Sequence, residues 1–255
     1  MNKYAILSAI TLLFTFSACD KDDPHHPDPQ KVLDFIQFTT PPDSLFYEFN
    51  NNGQIIREED KNNELVTVDV NGNQLHIIDF RTYENRQVAD VTFHLNSSGN
   101  IDTGTGDISY NAGSPYTTVY SYQYDNNGYL TERSDVRSDG DKWSYKYYWT
   151  NGDLTKWEWL QKDTLYLTFY FEYDGSIPDK IQLDYNKLFL IGNTSWTGKS
   201  SAHLVTRSIR IFAPSTTASY DYTYDYTLDA DGYVISYIIG DNIGTYADTV
   251  IYHYK

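Results

Sequence analysis

The stretch Tyr120–Thr131 constrains this chain more than any other. Tyr120, Tyr122 and Tyr124 alternate with Ser121 and Gln123, so the rings share one strand face and the polar groups the other. Asp125-Asn126-Asn127-Gly128 follows, residue types that accept the positive φ of a tight reversal at little steric cost. Tyr129-Leu130-Thr131 then starts a returning strand. The same grammar recurs at Phe46–Ile55, Phe93–Ile101, Tyr148–Leu154, Phe171–Ile177 and Tyr226–Val234, with a further turn at Val70–Leu75. Units of roughly two to three dozen residues hold about two strands and two connections. The expected fold is all-β: an antiparallel meander of repeated hairpins forming an open or partly closed, barrel-like sheet.

Size and charge narrow the options. The 255 residues, 25 of them Tyr, suffice for one large β domain with its own core. No apolar run approaches the ~18 residues a spanning helix needs. The apolar strand faces are mainly Tyr, which suits an interface and not a lipid-facing band, so the expected barrel stands outside the bilayer.

The first 18 residues have the make-up of a secretion signal, with Lys3 before an apolar run from Ala5 to Phe16. Residues 19–31 are rich in Pro and Asp and read as an extended tether, and residues 32–255 as a single hairpin-repeat domain. Cys19 is the only cysteine, so no internal disulfide can form. Beyond Lys3, 18 cations face 35 acids, a balance that repels phosphate backbones and argues against nucleic acid as a partner.

Phe16-Ser17-Ala18-Cys19 resembles the lipobox of bacterial lipoprotein signals, which implies cleavage before Cys19 and acylation of that residue. Lys21-Asp22-Asp23 resembles the acidic signal that sends Bacteroidetes lipoproteins to the outer face of the outer membrane; display on the periplasmic face is the alternative. The aromatic, Tyr-Asp-x-x-Gly-x-Leu pattern resembles the tyrosine-aspartate repeats of secreted bacterial shell proteins. Those repeats carry Arg after the Gly, whereas Gln54, Asn100, Tyr129, Asp153 and Tyr233 stand there in this chain. With its leader, the chain is similar to a family of Bacteroidetes lipoproteins of unknown function, and that resemblance implies a porin-like fold.

Candidate binding residues cluster in the hairpin Trp143–Leu160. A turn at Asn151-Gly152 is expected to place Trp149 opposite Leu154, Tyr147 opposite Lys156, Lys146 opposite Trp157 and Ser144 opposite Trp159. Lys146, Tyr148, Trp157 and Trp159 would then form a second aromatic face, either a stacking platform for sugar rings or plain packing. A one-residue bulge would exchange the faces on one strand. Trp196 lies in Gly192–Ser201, which reads as a long loop suited to a rim or lid. The six His show no His-x-x-x-His pair, and no Gly-x-Ser-x-Gly elbow occurs. No catalytic set, cofactor or metal site is expected, and turn chemistry explains the calcium-like spacing of Glu48, Asn50, Asn52 and Glu59.

The expected function is therefore non-catalytic binding of a glycan or an envelope protein by a domain anchored through lipid to the outer membrane. A structural envelope component and a glycan-cleaving enzyme are the alternatives. Labelled palmitate is expected to enter the protein and to be absent from Cys19→Ser, as read by autoradiography of the purified chain.

Overall fold

The structure is a computed structural model that describes residues 31–39, 42–51, 54–60, 64–109, 116–180, 196–241, 244 and 247–255. Cys19, the leader and most of the tether lie outside the described residues, as do residues 192–195 of the long loop.

The strands run β1 (Leu33–Thr39), β2 (Pro42–Phe49), β3 (Ile55–Asp60) and β4 (Glu64–Asn71). Next come β5 (Gln74–Arg81), β6 (Arg86–Leu95), β7 (Ile101–Ile108) and β8 (Tyr116–Tyr124). They continue as β9 (Leu130–Arg137), β10 (Lys142–Thr150), β11 (Asp153–Gln161) and β12 (Thr164–Pro178). The last four are β13 (His203–Phe212), β14 (Tyr220–Leu228), β15 (Val234–Asp241) and β16 (Ala247–Tyr254). Each pairs antiparallel with its neighbours in sequence, and β1 pairs with β16 from Leu33↔Tyr254 to Phe38↔Val250, so the sheet is a closed barrel. Closure settles the choice between an open and a closed sheet.

Strand alternation gives the barrel two ends. The proximal end holds the start of β1, the end of β16 and the turns that follow even-numbered strands; the distal end holds the rest. Four five-residue turns at the proximal end share one chemistry: Asn50–Gln54, Asn96–Asn100, Asp125–Tyr129 and Asp229–Tyr233. In each, the first residue's backbone N–H donates to the fifth residue's carbonyl. The first residue's Oδ1 accepts the fifth residue's N–H at 2.9–3.1 Å. That side-chain acceptor explains why Asx opens the turn. Gly128 sits at φ +87°, in the left-handed region that a Cβ disfavours. Asn151-Gly152 and Lys162-Asp163 are two-residue reversals with positive φ at both positions, the geometry that matches strand twist.

One expected turn is absent. Asp174-Gly175 lies inside β12, which continues to Pro178. Its Asp-Gly pair has turn composition, but the Asp174 carboxylate takes the Ser176 N–H locally while the strand goes on.

The two faces of the wall differ sharply. In register from β5 to β9, Leu75, Phe93, Gly104, Tyr120 and Asp135 face the lumen. One residue along, His76, Thr92, Thr105, Val119 and Val136 face outward. Gly104 is needed where it stands, because a Cβ there would lie 2.2 Å from the Phe93 ring. That ring packs on Tyr120 at 5.3 Å. Ion pairs lie on the outer wall: His76 with Asp90, Lys156 with Glu158, and Arg207 with both Glu172 and Asp221.

The segment from Trp196 to Ala202 closes over the proximal end. Lys199 N–H donates to the Gly128 carbonyl (3.0 Å) and Ala202 N–H to that of Gly152 (3.1 Å), tying the segment to two turns. Trp196 reaches β3, where its indole N–H points at the Ile55 carbonyl (3.5 Å).

Asp125 Oδ1 accepts two N–H groups, from Asn127 and Tyr129. Asp125→Ala is therefore expected to cost about 1–3 kcal/mol, and Asp125→Asn less than about 1 kcal/mol, measured by chemical denaturation.

Candidate functional site

The hairpin of β10 and β11 was expected to show two aromatic faces, and a bulge changes this. The register shifts between Tyr148 and Trp149. Trp149 still faces Leu154, but Tyr147 pairs with Trp157, Tyr145 with Trp159, Tyr148 with Lys156 and Lys146 with Glu158. All four of these rings pair with rings, so Trp157 and Trp159 turn into the lumen while Lys146 and Tyr148 stay on the outer wall. The expected face of Lys146, Tyr148, Trp157 and Trp159 does not exist as one surface. Outside, Tyr148 donates to Glu158 (2.7 Å) and Lys156 Nζ lies 3.8 Å from the Tyr148 ring centre. Trp196, expected on a rim, is 4% exposed and belongs to the core.

What the fold assembles instead is a lumen-facing aromatic wall. Tyr147, Trp157, Phe169, Arg210 and Tyr220 lie side by side from β10 to β14. Trp157 stacks on Phe169 with centroids 4.3 Å apart. The Arg210 guanidinium lies 4.5 Å from the Phe169 ring centre and 5.2 Å from that of Tyr220, so aromatic faces flank the cation. One step toward the distal end come Tyr145, Trp159, Leu167 and Phe212. Tyr166 is the extra residue of a bulge opposite Trp159 and Leu160, and meets Trp159 (5.0 Å) and Phe212 (5.7 Å) edge-on.

The wall is graded from sealed to open. Trp157 is 9% exposed, while Tyr166 and Tyr220, near the distal strand ends, are 42% and 46% exposed. The exposed rings are thus the outer members of a continuous buried stack, presented at the end away from Lys31.

Two arginines set the electrostatics. Arg133 and Asp135 form a buried two-point pair, with Nε donating to Oδ1 at 2.8 Å and Nη2 to Oδ2. Burial opposes the charge on Arg133, but Asp135 outweighs it and holds the guanidinium protonated well above its usual range. Arg133 also lies over the Tyr145 ring at 4.7 Å. Burial pushes the Tyr145 phenol up to about 12, so Tyr145 stays a neutral phenol at neutral pH. Arg210 differs from Arg133. It has no ion pair or hydrogen bond among the described residues, and its Nε is sealed from solvent without an acceptor. Trp157 and Trp159 likewise hold sealed indole N–H groups with no acceptor among the described residues. No cluster of three or more potential metal ligands occurs among the described residues.

Sequence reasoning missed Tyr166, Arg210 and Phe212. In Ser208-Ile209-Arg210-Ile211-Phe212 the isoleucines alternate with Arg210, a pattern that reads as a core-facing Ile pair with a solvated Arg. The barrel reverses it, because the positions paired with Arg210 are the lumen rings Phe169 and Tyr220. The alternation itself was a usable signal; its direction was not.

A closed antiparallel barrel whose lumen is lined with rings and holds the Arg133–Asp135 pair, with further ion pairs on its outer wall, is the class of protein defined here. The fold is porin-like. It matches the crystal structure of a porin-like protein from Bacteroides uniformis with a TM-score of 0.63 and 18% identity, over 89% of this chain and 99% of that one. A porin-like protein from Bacteroides vulgatus matches with a TM-score of 0.64 and 17% identity, over 88% of this chain and 98% of that one. No family model and no curated protein matches the chain.

Asp135→Ala is expected to destabilise the barrel by about 3–5 kcal/mol by stranding a buried guanidinium. Arg133→Met combined with Asp135→Leu is expected to recover most of that loss, read from denaturant midpoints.

Proposed function

We propose that this chain is a non-catalytic saccharide-binding lipoprotein of the bacterial outer membrane, held by acyl chains on Cys19 and displayed at the cell surface. The observation that carries the proposal is the aromatic wall whose exposed members, Tyr166 and Tyr220, sit at the distal end of the barrel. Sugar rings present C–H faces that pack on flat aromatic surfaces, and their hydroxyls need donors and acceptors nearby. Rings held by neighbouring rings keep their orientation without a ligand, which lowers the ordering cost of binding.

The placement of the two ends supports the same reading. Lys31 is held at the proximal end by Asp231 (2.7 Å) and Asp229 on the turn between β14 and β15. The exposed rings lie at the end opposite Lys31, where the described chain begins. The polar outer wall suits a barrel carried by an anchor, since a spanning barrel needs an apolar outer band. The porin-like neighbours from Bacteroides fit an outer-membrane setting and the Bacteroidetes origin that the leader suggests.

A glycan array tests the binding. Tyr166→Ala combined with Tyr220→Ala is expected to weaken the strongest array signal by at least about tenfold, roughly 1.4 kcal/mol. Lys146→Ala on the outer wall is expected to leave it unchanged. An array without signal, or one indifferent to the Tyr pair, overturns the proposal.

A further inference from the structure

We infer that the wall selects carboxylate-bearing saccharides, uronate or nonulosonate units, with Arg210 as the anchor for the carboxylate. This inference rests on the saccharide reading above and narrows its ligand class.

The argument starts from charge. The chain has 35 acidic residues against 19 lysines and arginines, so a carboxylate partner is easy to supply. Arg133 has Asp135, Arg137 has Asp139, and Arg207 has both Glu172 and Asp221. Arg210 has none among the described residues. It lies over the faces of Phe169 and Tyr220, and its charge also reaches the Tyr224 phenol. Asp221, one residue beyond Tyr220, points to the opposite side of β14 and is bound to Arg207 there at 2.8 and 2.7 Å.

Aromatic faces satisfy a guanidinium only from above and below. The N–H donors of Arg lie in its plane and fan out from its edge, where a carboxylate can take two at once. Stacking therefore fixes the plane and leaves the donor edge for an acceptor. A half-buried cation with unused donors is costly by itself, because each unmade bond forfeits the hydration it replaced. The neighbouring Trp157 and Trp159 repeat the pattern, with sealed indole N–H groups that lack acceptors among the described residues. Phe at either position would keep the ring and avoid the orphaned donor. Those sealed donors cannot reach a ligand, but the terminal nitrogens of Arg210 are not among the sealed atoms, so that end of the guanidinium is where a carboxylate would meet it.

The exposed rings then place the sugar. A pyranose stacked on Tyr220 or Tyr166 sits beside the guanidinium that Tyr220 flanks, and a ring carboxylate reaches the Arg edge. The strongly acidic surface does not forbid this. At physiological ionic strength charges beyond about 8 Å are largely screened, so the local cation decides. The same acidity disfavours long polyanions, which leaves short acidic oligosaccharides or chain ends as the fitting ligands.

The test uses matched probes that differ in the carboxylate alone. Trigalacturonate is compared with its methyl ester, and sialyllactose with its own methyl ester, by calorimetry on the full chain. The free acid of at least one pair is expected to bind at least about tenfold tighter than its neutral partner, about 1.4 kcal/mol. Arg210→Gln is expected to abolish that preference. Arg210→Lys, which keeps the charge without the planar fork, is expected to retain part of the preference. Equal binding of acid and neutral forms by the unaltered protein overturns the inference while the saccharide reading stands, and needs no variant to fold. A preference that survives in Arg210→Gln overturns it too, as does triglutamate binding as tightly as the sugar acid. Binding of no sugar at all removes both proposals together.

Discussion

The ladder between β1 and β16 is the constraint on which the rest of this protein depends. Without it the sheet would have two unpaired edges and two comparable faces. With it, every strand has partners on both sides, and the wall acquires an inside and an outside. Large sixteen-stranded barrels can keep a watery lumen. Here rings such as Tyr47 and Tyr120 fill positions along the inner wall and are sealed from solvent. Small residues accommodate them, as Gly104 does beneath Phe93.

Bulges do the second part of the work. A strand alternates faces strictly, so one inserted residue exchanges inside and outside from that point on. The insertion at Tyr148/Trp149 turns both tryptophans of β11 inward, opposite Tyr145 and Tyr147. The insertion at Tyr166 lifts a ring out of the ladder and sets it edge-on against Trp159 and Phe212. Similar shifts follow the five-residue turns, as between Gln123 and Tyr124 or His94 and Leu95. The aromatic wall is a product of register as much as of composition.

Two of the lumen arginines, Arg133 and Arg210, illustrate a difference in energetic standing. Arg133 and Asp135 compensate each other's desolvation, and the surrounding tyrosines seal the pair. Nothing about that pair asks for a ligand. Arg210 stands on the same inner surface, and among the described residues its charge is flanked by aromatic quadrupoles, which are weaker partners than a carboxylate. A cation whose terminal donors have no acceptor among the described residues is where binding energy remains available.

Much of the architecture was legible in the chain. Alternating Tyr in β8 and β14 and the Asx-x-x-Gly corners after them specify strand, reversal and returning strand, because both signals are local: side-chain period and backbone φ. The Lys162-Asp163 reversal lacked a glycine and gave no signal, while Asp174-Gly175 had turn composition but lies within β12, in an irregular stretch of its pairing with β13. Sequence alone thus determined that the chain would be a ladder of hairpins with ring-bearing faces. Only the tertiary structure decided that the ladder closes, which rings meet inside it, and that Arg210 stands among them without a carboxylate among the described residues. Those outcomes depend on cross-strand register and bulges, which arise from contacts between residues far apart in the chain.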